Sequence, residues 1–300
     1  MNLYFDTAQG PVFRPPSEAN SFLLRVTVGC SHNRCTYCNM YRSVPFQVRP
    51  HIEVQRQIKM ALPHRQEIRR VFLADGNALV LHTERLLPIL QELRTSFPRL
   101  QRVSCYAGPR DILAKRPDEL LALKEAGLKL IYYGMESGDS DVLQHVQKGV
   151  DGPQSIEAGQ RIRAAGIKLS LMMILGLGGR EASAAHAKST AEAVSAICPD
   201  LLSALTLMLY RGSELKEEFE AGTFQILNPA ELMEELGWIV ESIRFPEGHH
   251  CLFRSNHISN YVNLAATLPK ERERLLTDIA LATKKLQQVT DWDPYNCVER

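Results

Sequence analysis

Three cysteines crowd into nine residues of the stretch GCSHNRCTYCNMYR, as Cys30, Cys35 and Cys38 with the spacing Cys-x4-Cys-x2-Cys. Thiolates are soft ligands, and three of them on one loop can wrap a metal centre as a helix cannot. On a four-iron cluster, three protein ligands leave one iron open to another molecule. A zinc site is the other chemistry these residues allow. Zinc normally takes four ligands from two knuckles, and no second CxxC occurs, although His32 can serve as the fourth. Seven cysteines are an odd number, and this crowding suggests ligands in a reducing compartment rather than disulfides. Cys105 reads as inert packing, and Cys198, Cys251 and Cys297 are too far apart in sequence to form a second cluster.

The elements that hold this loop follow from periodicity. Apolar, β-rich runs at 22–28, 71–74, 103–106, 128–134, 167–176 and 201–209 predict six strands. Helical patterns separate them. TERLLPILQELRTSF puts Leu86, Leu90 and Leu93 on one face, and RPDELLALKEAG has Pro117 near its start and Gly127 at its end. KEAGLKLIYYG and RAAGIKLSLMMILG echo each other, each a helix end leading into a strand. Near-continuous apolar strands alternating with amphipathic helices imply a parallel sheet covered on its outer face. The expected fold class is therefore α/β, a partial (β/α)6 TIM-like barrel with a C-terminal helical extension. Residues 1–20 read as an N-terminal extension, 21–220 as the barrel and 221–300 as a mostly helical extension covering it, with a strand-like CLFRSNHIS inside. In such barrels the chemistry sits on loops at the C-terminal ends of strands, and the cysteine loop follows the first.

Composition narrows the function. With 35 basic and 34 acidic residues and a net charge of +1, the chain has no long run of one sign to track a phosphate backbone, so generic nucleic-acid binding is not expected. Hydrophobic residues at 45% and charged ones at 23% are near globular averages, which excludes disorder and coiled coil. The longest apolar stretch, Leu171 to Leu175, falls far short of the ~20 residues of a membrane span. The first 25 residues lack the pattern of a secretory signal, so the expected location is cytoplasmic.

A cysteine loop directly after the first strand of a six-unit βα chain resembles the radical S-adenosylmethionine (SAM) enzymes. Their usual spacing is Cys-x3-Cys-x2-Cys, and this chain has one more residue in the first gap. The resemblance implies a 4Fe-4S cluster whose open iron binds the amino and carboxylate groups of SAM, with Tyr37 as the aromatic whose backbone meets the adenine. After strand 2 the family places a Gly-Gly-Glu-like turn that receives the ammonium of the cofactor. Here Asp75, Gly76 and Asn77 hold that position with different letters, offering a carboxylate or carbonyl oxygens and a close backbone approach at Gly76. YYGMESGDSDVLQHVQKG is similar to a stretch of the oxygen-independent coproporphyrinogen oxidases, the methylthiotransferases and the cobalamin-dependent radical enzymes. That similarity implies that Glu136 accepts from the ribose hydroxyls, Ser137 supports it and Lys148 meets the methionine carboxylate. The other reading of Lys148 is a solvated lysine at a helix C-terminus. MMILGLGG resembles the strand end against which the adenine lies, with Ile174 and Gly176 as its contacts. Met172 and Met173 stand near where coproporphyrinogen oxidases usually carry Asp. The ending LYRGSEL is similar to their Pro-Gly-Thr-Xaa-Leu, and the whole match covers residues of about 20 to 220.

The implied chemistry is one-electron cleavage of the sulfonium, giving a primary radical that takes hydrogen from a substrate within dry barrel walls. Candidate substrate residues are Arg110, Tyr210, Arg211 and the polar group Arg254, Asn256 and His257 in CLFRSNHISNY. A capped turn with a satisfied histidine is the alternative for that last group. The expected partners are a small-molecule substrate and an electron donor such as flavodoxin or ferredoxin. No cobalamin domain or second cysteine cluster is visible, which counts against cobalamin-dependent methylation and sulphur insertion. Two rival functions remain open: a haem- or tetrapyrrole-binding relative that is not an enzyme, and an enzyme cutting a different carbon-sulphur bond of the cofactor.

Overall fold

Arg25 is the single charge in the run FLLRVTV, and the first strand ends on it. The computed structural model describes residues 3–8, 10–289 and 292. The chain forms two compact units, Met1–Asn33 with Met40–Tyr133 and Arg161–Leu169, and Arg34–Asn39 with Gly134–Gln160 and Ser170–Arg300.

In the first unit the run splits into β1 (Phe22–Arg25) and β2 (Thr27–Val28), and β3 (Gln47–Val48) pairs antiparallel with β2. Then come α1 (His51–Ala61), β4 (Arg70–Ala74), α2 (Thr83–Ser96), β5 (Arg102–Ala107), α3 (Pro109–Leu113), α4 (Pro117–Ala126) and β6 (Leu128–Glu136) as far as Tyr133. β1, β4, β5 and β6 lie side by side and parallel, in register from Phe22↔Val71 through Val71↔Val103 to Cys105↔Ile131. Burial explains the apolar letters: all of β1 and four of the five residues of β4 are buried. Glycine sets where α4 stops. Gly127 takes φ +116°, and from that left-handed turn the chain enters β6 directly.

The second unit contains the end of β6, then α5 (Ser140–His145), α6 (Gly152–Ala164) as far as Gln160, β7 (Lys168–Leu175) from Ser170, α7 (Gly179–Ile197), β8 (Leu201–Thr206), α8 (Glu214–Glu220), α9 (Pro229–Ser242), β9 (Cys251–Arg254), β10 (Ala265–Leu268) and α10 (Arg272–Leu286). β7, β8 and β9 are parallel, and β10 returns antiparallel on β9. α9 opens with Asn228 accepting from the N–H groups of Ala230 and Glu231 and Pro229 in its first turn, the chemistry a helix start requires. It packs on α7 and α10.

One strand is shorter than its sequence implies. The run to Leu209 predicts pairing beyond Thr206, but β9 meets only Leu201–Ser203, and the Thr206 N–H is taken by Ser259 Oγ at 3.0 Å. On its other side β8 stays paired with β7 through Thr206, and Leu207 N–H still reaches the Leu175 carbonyl, so Tyr210 and Arg211 lie past the strand end. No described helix is long and apolar enough to cross a membrane.

Candidate active site

In the first unit the turn after β4 braces both residues that flank Cys30. The fully buried Asp75 carboxylate accepts from Gly29 N–H (3.2 Å), from Tyr41 O–H (3.0 Å) and twice from Arg25 (2.9 and 2.6 Å). Arg25 is itself buried and also donates to Tyr4 Oη and the Ala8 carbonyl. Burial pushes the Asp75 carboxyl above its ordinary value, while Arg25, Tyr41 and Gly29 pull against that shift. Gly76 donates to the Gly29 carbonyl at 3.2 Å, and a Cβ on it would stand 2.9 Å from that oxygen. Asn77 accepts from Ser31 N–H at 3.1 Å and donates to Ser31 Oγ and to Asp111. The Asp75 carboxylate and the Asn77 carboxamide are thus hydrogen-bonded within the protein.

In the second unit the stretch bearing Cys35 and Cys38 is tied down on both sides. Thr36 donates to the Val146 carbonyl and accepts from Leu215 N–H, each at 3.1 Å, and Asn39 donates to the Arg211 carbonyl at 2.9 Å. Tyr37 packs on Val142, Val146, Ile174 and Leu177, and on Leu209, Leu215 and Phe224. Burial pushes its phenol well above the ordinary value, and the neighbouring Glu136, Cys35 and Cys38 add to the shift.

Glu136 closes β6 at φ +68°, a conformation that residues bearing a Cβ rarely hold. Its Oε1 lies 2.8 Å from Lys148 Nζ, with only 13% and 11% of the two side chains exposed. Gly134 makes room for this, since a Cβ there would collide with the Glu136 carboxylate. Gly138 packs against the Ser189 carbonyl, where a Cβ would also collide, and Asp139 caps α5 by accepting from Asp141 and Val142 N–H. The second unit therefore gathers Cys35, Tyr37, Cys38, Glu136, Lys148 and Ile174. Lys148 is an ion-pair partner rather than a solvated helix cap. Gly176 follows β7 at φ +78°.

The other candidates differ in exposure. Arg110 is exposed on α3, Arg211 is exposed, and Tyr210 donates to Met208 Sδ. Arg254 and Asn256 are exposed, while burial lowers the pKa of His257. Burial pushes the Cys105 thiol up to about 12, so it is unreactive at neutral pH. Cys198 reaches the Ser195 carbonyl, Cys251 is buried, and Cys297 lies outside the described residues. Cys30, Cys35 and Cys38 are half-buried and form no disulfide. Among the described residues no three His, Cys, Asp or Glu side chains are gathered into a metal cage, so the convergence of these three thiols belongs to the proposal below. A set of three thiol donors fits an iron-sulphur cluster with one open iron.

Arg25, Tyr41 and Asp111 meet the turn after β4 from positions that no local pattern marks. One signal marks Arg25, and Glu235 in the second unit shares it. Arg25 in an apolar strand and Glu235 among Leu232, Met233 and Leu236 are charges on buried faces, which demand buried partners.

Residues 24–187 match the Radical SAM superfamily, more than half of the chain. The chain belongs to this superfamily. Among curated proteins none matches the sequence. The radical SAM chain is similar in structure to methylornithine synthase (PylB), with a TM-score of 0.52 and 14% identity over 75% of this chain and 63% of that one. It is similar to coproporphyrinogen III oxidase (HemN) from Escherichia coli, at 0.51 and 17% over 74% and 52%. A third likeness is to the radical S-adenosylmethionine methyltransferase TsrM from Kitasatospora setae, at 0.53 and 16% over 69% and 40%. These likenesses show the fold, α/β with a partial (β/α)6 TIM-like barrel, and the chain spans less than two thirds of each of those structures. Membership implies an iron-sulphur cluster and SAM.

Proposed function

We propose that this radical SAM enzyme holds a 4Fe-4S cluster on Cys30, Cys35 and Cys38, cleaves SAM reductively and uses the radical on a small molecule. The observation that carries this reading is the Glu136–Lys148 pair, set beside Tyr37, Cys35 and Cys38 in one unit. When bound, the cluster and SAM supply one-electron reduction of a sulfonium and a carbon radical that takes hydrogen from substrate. The chain supplies position and charge. With Oε1 on Lys148, the other Glu136 oxygen is a preset acceptor for a ribose diol, and Ser137 steadies it. Lys148 faces the methionine carboxylate, Ile174 and Gly176 the adenine together with the Tyr37 backbone, and the backbone of the turn 75–77 the ammonium.

For substrate, the segment after β9 has the right anchorage. Ser259 accepts from Thr206 N–H, and Asn260 accepts from Thr206 Oγ1 (3.0 Å) and donates to the Ala204 carbonyl (2.8 Å). This pins the segment to the C-terminal end of β8, the end at which parallel barrels do chemistry. Ser259 Oγ lies 2.8 Å from His257 Nδ1, so the ring is oriented while Arg254 and Asn256 stay exposed. We assign these three residues, with Arg110, Tyr210 and Arg211, to substrate. The electron donor is of the flavodoxin or ferredoxin kind, and the compartment is the reducing cytoplasm.

Anaerobic reconstitution with iron and sulphide, followed by dithionite and SAM, tests the reading. The expected products are 5′-deoxyadenosine and methionine. Other fragments of SAM would mean a different carbon-sulphur bond. Stoichiometric zinc without labile sulphide, or a Soret band on haem titration without cleavage, would overturn it. Asn256→Ala and His257→Ala are expected to keep the cluster spectrum and slow substrate-free cleavage while losing turnover. Glu136→Ala and Lys148→Ala should each weaken SAM binding by ~1–3 kcal/mol, the range for a hydrogen bond to a charged group. Because the two share one bond, the double variant should lose less than the sum by calorimetry.

A further inference from the structure

The face that α7 buries is unexpectedly polar. Ser183, His186 and Thr190 recur at helical spacing and are all buried, whereas a buried helix face is ordinarily apolar. Each meets a group from another element of the same unit. Thr190 Oγ1 accepts from Gly138 N–H at 3.1 Å, and the adjacent Ser189 donates to Asp139 at 3.2 Å. His186 Nδ1 lies 2.8 Å from Ser137 Oγ, and its Nε2 lies 3.7 Å from Oε1 of Glu235, which projects from α9. Glu235 is fully buried, takes the O–H of Ser183 and accepts from Gly176 N–H at 2.7 Å.

Ser137 Oγ, within hydrogen-bond distance of Nδ1, also accepts from Asp139 N–H at 3.0 Å, while Nε2 faces Glu235 beyond hydrogen-bond distance. Buried polar groups thus line the way from the residue after β7 to the residue after Glu136, with the His186 ring between Glu235 and Ser137.

We propose that His186 and Glu235 are positioning residues that align Glu136 and Gly176 for the adenosine half of SAM. This rests on the function proposed above. Glu136 at φ +68° is a conformation that persists only where its surroundings over-determine it, and the following three residues are each held by a side chain of α7. A buried carboxylate is costly, and an apolar residue would suit the α9 face of Leu232, Leu236 and Ile239 as well. What Glu235 adds is the fixed position of Gly176 and a carboxylate facing the His186 ring.

Binding of three ligands to the reconstituted protein separates this role from a merely structural one. SAM and S-adenosylhomocysteine contain ribose and adenine, whereas L-methionine carries only the amine and carboxylate. In His186→Leu, affinity for the first two should fall about tenfold, the scale of losing a supporting partner, with L-methionine affinity and the cluster spectrum unchanged. His186→Asn, which keeps an acceptor near Ser137, should recover most of the loss. If His186→Leu does not fold, Thr190→Val reads the same ratio by freeing Gly138 N–H. Equal loss for all three ligands, or for none, overturns the proposal. Wild-type protein that binds no SAM overturns the proposed function instead.

Discussion

Alanine at Cys30, at Cys35 or at Cys38 is expected to leave a folded protein that no longer takes up the cluster. Wild type, reconstituted without oxygen, should be brown, absorb broadly near ~400 nm and hold about four irons and four sulphides per chain. Each variant should lose all of this, because two thiolates cannot retain a cluster that already has one iron without a protein ligand. The thiols are half-buried and carry little of the core. The loop is held by other groups: Gly29 and Ser31 by Asp75 and Asn77, Thr36 by Val146 and Leu215, and Tyr37 by its apolar neighbours. Circular dichroism and urea midpoints of the apoproteins should therefore stay near wild type, while iron, sulphide and SAM cleavage disappear together. A variant that kept the chromophore would remove that cysteine from the ligand set.

Asp75→Ala should act in the opposite way, on the fold before the chemistry. It leaves the buried Arg25 guanidinium without its main counter-charge, with Asp6 more distant at 3.9 Å. Removing one partner of a buried pair costs about 3–5 kcal/mol, because the remaining charge is neither solvated nor neutralised. The Gly29 N–H and the Tyr41 hydroxyl lose their acceptor as well. Urea denaturation of the apoprotein measures the loss, and cluster uptake should fall with it, since Gly29 adjoins Cys30. Replacing both charges, as Arg25→Met with Asp75→Leu, should recover part of the stability. A loss below about 1 kcal/mol would show that the pair is solvated and not interior.

Local pattern determined much of this protein. Continuous apolar runs flanked by amphipathic helices dictate parallel strands and covering helices, because each buried backbone must be paired and each apolar face hidden. Gly127 ends α4 because only a residue without a Cβ takes that turn easily. The cysteine spacing and the letters GMESG were legible for the same reason, since their chemistry lies within a few residues.

Tertiary structure decided which polar groups are spent on each other. Asp75 lies 50 residues from Arg25, Lys148 12 from Glu136, Ser137 49 from His186 and Gly176 59 from Glu235. No periodicity encodes such pairs. They form because a charge or N–H shut away from water must find a partner wherever the folded chain brings one. The same accounting holds at Thr206, past the last residue that β9 pairs, where the hydroxyl of Ser259 takes the N–H. Sequence alone marks the residues able to do chemistry, and the demand for buried partners determines which of them remain free to do it.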